Sequence, residues 1–154
     1  MSNNNVIDIK IGGIQRKRYR INGDDSKILE LNPTDFNFTV RFKEAYPKLT
    51  DCENEIKTLR VSDESSDDIK SIELFADKLK ELDTRMCELI DYIFDSNVSE
   101  LCCDGGSMYD FIEGFMRYEV IIDSLIKLYE SNLTSEAKKI QKRVKQHTAK
   151  YTKK

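Results

Sequence analysis

The clearest pattern in the sequence is a run of apolar residues between positions 72 and 93, separated alternately by three and four residues. The run consists of Ile72, Phe75, Leu79, Leu82, Met86, Leu89 and Ile93. This spacing places the apolar side chains on one side of a long α-helix. Such a stripe serves either a helix bundle within one chain or a coiled coil between chains, and Ile90 and Phe94 widen it, which favours the bundle. Leu79, Leu82 and Met86 are the candidate partner-binding residues on this helix.

A second helix is predicted after residue 107, where Ser107 to Asp110 resembles a capping box. Its apolar stripe is formed by Phe111, Phe115, Tyr118, Ile122, Leu125 and Tyr129. Further apolar residues such as Met116, Ile121 and Leu128 spread around the rest of its circumference. This helix is therefore predicted to be the most buried element.

The N-terminal region alternates apolar and polar residues, which is typical of β-strands. Residues 6–11 (VIDIKI) are predicted to form one strand, Gly12-Gly13 the turn, and residues 14–21 the returning strand. A short third strand is predicted at residues 28–31. We assign residues 1–31 to an N-terminal β-hairpin element.

The next region is predicted to be helical from Asn32-Pro33, because Asn caps helices and Pro suits the first helical position. Pro47 is expected to weaken or end this helix near Tyr46, and helix is expected to resume over residues 49–59. Residues 62–68 are polar and are predicted to form a linker. Residues 98–103 fit either one helical turn or an extended link. Residues 32–133 are assigned to a helical core.

The C-terminal segment, residues 134–154, is predicted to form a last helix capped by Thr134 or Ser135. It has only a thin apolar line among many lysines, so it is expected to fray or to become ordered on a partner. Ile140, Val144 and Tyr151 are its candidate partner-binding residues. The fold class that follows is mainly α (α+β), with a small N-terminal β-hairpin before a bundle of about four helices.

Composition and charge limit the classes of function. The chain is 39% hydrophobic and 34% charged, and it contains neither a long apolar stretch nor a signal peptide, so a cytoplasmic, non-membrane protein is expected. Net charge is only -3, but the C-terminal segment is strongly basic. The basic charge would permit weak nucleic-acid binding, yet there is no recognition motif and only Tyr151 is available there for base stacking. A nucleic-acid partner is therefore disfavoured.

No residue pattern indicates catalysis, a cofactor or a metal. His147 is the only histidine and has no sequence-local carboxylate or nucleophile. The spacing of the four cysteines, Cys52, Cys87, Cys102 and Cys103, does not suit a structural zinc site. The adjacent Cys102 and Cys103 form either a strained disulfide or, as we favour, two small buried apolar residues. The sequence predicts that the protein is not an enzyme.

The order of these segments resembles the tail assembly chaperones of tailed phages and prophages of Gram-positive bacteria. Residues 31–42 (LNPTDFNFTVRF) look like the segment where an Asn-Pro step and a Phe lead into the first helix of that family. Residues 89–94 (LIDYIF) and 110–115 (DFIEGF) are similar to its later helix-loop-helix portion. The N-terminal hairpin and the Lys-rich C-terminus with Tyr151-Thr152 also fit.

The resemblance implies a non-enzymatic chaperone that binds the tape measure protein during tail morphogenesis, in the cytoplasm of the bacterial host. The tail tube protein is a second partner that it implies. Two alternatives remain open: a homo-oligomeric coiled-coil structural protein, and a small nucleic-acid-binding regulator that uses the basic C-terminal segment.

Overall fold

A computed structural model describes residues 5–13, 16–63 and 69–152. The described elements are strands β1 (Lys17–Ile21) and β2 (Asp24–Leu31), helices α1 (Asn37–Asp63), α2 (Ile69–Phe94) and α3 (Val98–Cys102), strands β3 (Phe111–Ile112) and β4 (Phe115–Met116), and helix α4 (Arg117–Thr152). The prediction of a mainly α protein with an N-terminal antiparallel hairpin and four helices is confirmed. No helix of the described residues is long and apolar enough to cross a bilayer.

The hairpin is shifted along the chain from the one predicted: β1 lies within the predicted returning strand at residues 14–21, of which residues 14–15 lie outside the described part of the chain. Strands β1 and β2 pair antiparallel around Asn22-Gly23, whose φ angles are 51° and 72°, as a two-residue hairpin turn requires. Residues 6–11 are in neither sheet and are exposed, so the turn predicted at Gly12-Gly13 and the strand before it are wrong. The predicted short strand at residues 28–31 is the second half of β2.

Helix α1 begins later and continues further than predicted. Asp35 stabilises the first residue of the helix, because its Oδ1 accepts a hydrogen bond from the Asn37 N–H at 2.9 Å. Asn32, the predicted cap, lies in the preceding turn, where its Oδ1 accepts a hydrogen bond from the Thr34 hydroxyl at 2.9 Å. The helix passes through Pro47, so of the two outcomes expected there the end near Tyr46 is wrong. A proline removes one backbone hydrogen bond, but the buried face of α1 continues on both sides of it and stabilises the whole helix by packing. That face consists of Phe38, Ala45, Leu49, Cys52 and Ile56.

The region between α2 and α4 contains two small elements. Residues 98–102 form helix α3, which resolves the open alternative for this segment. Asp91 of α2 holds the first turn of α3, since its two carboxylate oxygens accept hydrogen bonds from the Ser99 N–H and hydroxyl, both at 2.7 Å. After α3 the chain forms the β3–β4 hairpin, with positive φ angles at Glu113 and Gly114. The helix predicted from Ser107 therefore begins only at Arg117.

Helix α4 is one continuous helix of 36 residues, so the separate last helix capped by Thr134 or Ser135 does not form. Neither Pro nor Gly occurs between Arg117 and Thr152, and nothing local in the sequence breaks the helix. The boundary predicted at residue 134 thus lies inside α4. Residues 64–68 of the predicted linker lie outside the described residues, while Ser62 and Asp63 belong to α1.

An aromatic cluster joins the three long helices. Phe38 of α1 stacks on Tyr129 of α4 with ring centroids 4.0 Å apart, and Phe94 of α2 lies 5.7 Å from Phe38 and 5.8 Å from Tyr129. Leu29 and Leu31 of β2 are buried in the same core, so the hairpin packs against the helices. A single hydrophobic core thus spans the hairpin and the helices.

Candidate protein-binding surfaces

The structure separates the predicted partner-binding residues into two groups. Leu82 and Met86 are fully buried in the core, and Leu79 is half-buried against it. These α2 residues therefore pack within one chain and do not form a free coiled-coil stripe. Ile140, Val144 and Tyr151 belong to α4, and their side chains lie outside the described residues.

The β3–β4 hairpin presents two aromatic side chains that are more than half exposed, Phe111 at 52% and Phe115 at 59%. Their exposure contrasts with Met116, the cross-strand neighbour of Phe111, which is buried. The sequence assigned both phenylalanines to the buried face of a helix. The signal that could have placed them correctly is Glu113-Gly114 between two apolar pairs, since X-Gly is a common two-residue hairpin loop.

The base of this hairpin is fixed by hydrogen bonds. The Ser107 N–H donates to Asp110 Oδ2 at 2.8 Å, and the Arg117 N–H donates to the Asp110 carbonyl at 2.7 Å. Asp83 of α2 accepts a hydrogen bond from the Met108 N–H at 2.8 Å, which ties the segment to the core. Phe111 and Phe115 are therefore displayed from an anchored base.

Further exposed apolar side chains lie on what we call the α1–α2 arm, residues 51–63 of α1 with residues 69–79 of α2. Here Ile69, Ile72 and Leu74 are exposed at 71%, 56% and 69%. On the same arm a groove of about 580 Å³ is lined by Asp51, Asn54, Glu55, Thr58, Leu59 and Lys78. The groove has mixed charge, because Lys78 lies 3.9 Å from the Glu55 carboxylate within it.

The thiols give no sign of nucleophilic chemistry. All four cysteines are free, so the adjacent Cys102 and Cys103 form no disulfide. Burial raises the pKa of Cys102 to about 11, and burial likewise raises the pKa of Cys52. A hydrogen bond with Cys87 lowers the pKa of Cys103, but that thiol is buried. Among the described residues no group of three His, Cys, Asp or Glu side chains is arranged to hold a metal ion.

We expect two buried tyrosines, Tyr118 and Tyr129, to make the fold sensitive to alkaline pH. Tyr118 donates a hydrogen bond from its hydroxyl to Glu53 Oε2 at 2.8 Å, and burial together with this carboxylate raises the pKa of Tyr118. Burial raises the pKa of Tyr129 to about 12. The Tyr129 hydroxyl has no hydrogen-bond partner among the described residues and borders a polar cavity of about 90 Å³.

We expect Tyr129→Phe to protect the protein in alkali. The folded state favours the protonated phenol, so its contribution to stability is complete below the unfolded pKa of 10.0 and is lost as pH rises through about 12. Thermal unfolding followed by circular dichroism should give a melting temperature that falls less steeply in the variant than in the wild type across this window. Equal slopes would show that Tyr129 does not keep its proton in the fold. The same two proteins at neutral pH are the control, where the variant should be equally or slightly more stable because it removes an unpaired buried hydroxyl.

Comparison with protein-family models, with curated proteins and with solved structures finds no match to this chain. The fold itself defines the class: a mainly α protein with an N-terminal antiparallel β-hairpin.

Proposed function

We propose that this protein is a tail assembly chaperone that binds the tape measure protein during phage or prophage tail assembly in the host cytoplasm. The single observation that carries the proposal is the exposed pair Phe111 and Phe115 on the anchored β3–β4 hairpin. The resemblance of residues 31–42, 89–94 and 110–115 to that chaperone family supplies the identity of the partner. The tail tube protein is a second partner under the same proposal.

Leaving these two apolar side chains in water is unfavourable, so covering them on a partner is favourable. Aromatic residues on a fixed surface are typical anchors of protein interfaces, where a few side chains supply most of the binding energy. Covering two half-exposed phenylalanines would contribute about 2 kcal/mol, which corresponds to about 30-fold in Kd. Tape measure proteins are long and helical, so their apolar helix faces need cover until the tail tube forms around them. The hairpin offers a small apolar contact for such a face.

The alternative of a coiled-coil structural protein has less support. It needs Leu82 and Met86 at an interface between chains, whereas both are fully buried within one chain. The chaperone proposal needs no change in that core.

The test is binding to the tape measure protein of the same phage or prophage. We expect the double variant Phe111→Ser/Phe115→Ser to weaken binding by about 30-fold, because the apolar anchors are lost while the core is not touched. Calorimetry or surface-immobilised binding measures the change in Kd. The matched control is Val40→Ser, which removes a similarly exposed apolar side chain, 53% exposed, from α1.

The control variant should bind as the wild type does. If the double variant binds with unchanged Kd, the hairpin is not the contact surface. If the wild-type protein itself does not bind the tape measure protein, the proposed function is wrong.

A further inference from the structure

Residues 6–11, which we call the N-terminal segment, hold four apolar side chains in water. Val6, Ile7, Ile9 and Ile11 are between 67% and 85% exposed. The segment belongs to neither sheet of the described residues. Successive side chains of a strand point to opposite faces, so on pairing the three isoleucines would share one face and Val6 would lie on the other. The N-terminal segment therefore has the pattern of a strand but lacks a sheet.

This segment does not pair with β1 of its own chain. A two-residue hairpin turn between them would require a positive φ angle, and neither Gly12 nor Gly13 has one. Gly13 lines the same groove as Lys17, the first residue of β1. The N-terminal segment therefore lies just before the start of β1 without returning along it.

Strand β1 has an edge with no strand beside it. The first sheet consists of β1 and β2, so the backbone groups on the other edge of β1, which we call its outer edge, bind no strand of the described residues. An unpaired edge of this kind is a template for pairing with another chain. Strand β2, by contrast, packs next to α3, and its Lys27 pairs with Asp104 just after that helix. The outer edge of β1 is therefore the open edge of the sheet.

A groove of about 300 Å³ lies along this edge, between β1 and α4. Its charged residues are Arg20 and Arg117, and its apolar lining is formed by Ile21, Ile112, Val120, Ile121 and Leu125. No described residue of β2 lines the groove, so it lies on the side of β1 away from β2. A strand added at the outer edge would therefore continue the face that carries Tyr19 and Ile21, which pack against the core, toward an apolar lining.

The charges of β1 decide which strand suits its outer edge. Lys17, Arg18 and Arg20 are exposed on β1, and the two arginines pair with carboxylates of β2. A second β1 would bring three more basic side chains against these, and like charges directly opposite each other are unfavourable. The N-terminal segment contains one acidic and one basic residue, Asp8 and Lys10, so it adds no net charge.

We propose that the N-terminal segment of one copy of this chain pairs as a third strand with the outer edge of β1 in a second copy. The backbone of the segment supplies hydrogen bonds, and its row of three isoleucines packs beside Tyr19 and Ile21. Every copy carries one segment and one outer edge, so reciprocal exchange between two copies pairs both and closes a dimer. This association is independent of the tape measure protein and goes beyond the proposed function.

The first test is the mass of the full-length protein, measured by light scattering after size-exclusion chromatography at rising concentration. The wild type should reach twice the 17.9 kDa of one chain. Ile9→Pro should remain a monomer, because proline lacks the N–H that a central position of a strand donates. Circular dichroism should show unchanged helix content in this variant, since the N-terminal segment is exposed.

The matched control is Val6→Ser. It also removes an exposed apolar side chain from the N-terminal segment, but from the face opposite the three isoleucines. This variant should dimerise as the wild type does.

A labelled peptide of residues 5–13 tests the outer edge of β1 separately. It should bind the Ile9→Pro protein, whose outer edge stays unpaired, and should bind the wild-type dimer more weakly, because the edges there are occupied. The same peptide carrying Ile9→Pro should not bind. Fluorescence anisotropy measures the three affinities.

A wild-type protein that remains monomeric at high concentration would overturn the proposal, as would an Ile9→Pro protein that still dimerises. A peptide that fails to bind, or that binds equally well with proline at residue 9, would also overturn it. If Ile9→Pro instead lost binding to the tape measure protein with no change in mass, the segment would contact that partner and not a second copy. The Phe111→Ser/Phe115→Ser variant should still dimerise, so failure of this proposal is distinguishable from failure of the proposed function.

Discussion

Replacing Leu82 by Asp should leave the protein unfolded under conditions where the wild type is native. Leu82 is fully buried on α2 within the hydrophobic core. Truncating such a side chain alone costs about 2–5 kcal/mol, and an unpaired carboxylate in its place adds the cost of burying a charge. Domains of this kind are stable by about 5–15 kcal/mol, so the substitution removes much or all of that margin. Far-ultraviolet circular dichroism and chemical denaturation measure the loss.

The matched control is Ile72→Asp on the same helix, at a residue that is 56% exposed. We expect this variant to keep the wild-type helix content and to lose less than about 1 kcal/mol. A soluble, folded Leu82→Asp protein that has merely become monomeric would contradict the assignment of Leu82 to the core. That outcome would indicate that Leu82 and Met86 lie at an interface between chains.

Replacing Phe38 by Ala should lower the free energy of unfolding by about 3–5 kcal/mol. Phe38 is buried and lies at the centre of the aromatic cluster that joins α1, α2 and α4. Its removal leaves a cavity beside Tyr129 and Phe94, whose rings lose their stacking partner. Urea unfolding monitored by circular dichroism gives the change in free energy.

Phe36→Ala provides the comparison at a residue two positions earlier. Phe36 is half exposed, so its truncation should cost less than about 1 kcal/mol. Similar losses from Phe36 and Phe38 would mean that the aromatic cluster does not hold the three helices together.

Helix α2 could be predicted from the sequence because the spacing of its apolar stripe from Ile72 to Ile93 fits only a helix, and α2 spans Ile69–Phe94. An N-terminal β-hairpin was predicted correctly, but its first strand and its turn were placed at the wrong residues. Both Gly12-Gly13 and Asn22-Gly23 are able to adopt the positive φ of a tight turn, and the alternation of apolar and polar residues alone cannot decide between them. In the structure β2 pairs with β1, and Leu29 and Leu31 of β2 pack into the core.

Other differences arise where tertiary packing outweighs a local rule. Pro47 would end an isolated helix, but burial of α1 on both sides of it keeps the helix continuous. The spacing of Phe111 and Phe115 fits a helix as well as a hairpin, so both were predicted to lie on the buried face of a helix. In the structure they belong to the β3–β4 hairpin, which is the surface that we propose as the partner contact. Leu82 and Met86 were candidate partner-binding residues because the sequence of an apolar stripe does not show whether the residues that pack on it belong to the same chain or to another.

The measurement that tests the proposed function most directly is the solubility of the tape measure protein when the two proteins are produced together. The proposal predicts that the tape measure protein is largely insoluble alone and becomes soluble with the wild-type chain. It also predicts that Val40→Ser preserves this effect and that Phe111→Ser/Phe115→Ser loses it. A tape measure protein that is equally insoluble with and without the wild-type chain would contradict the proposal.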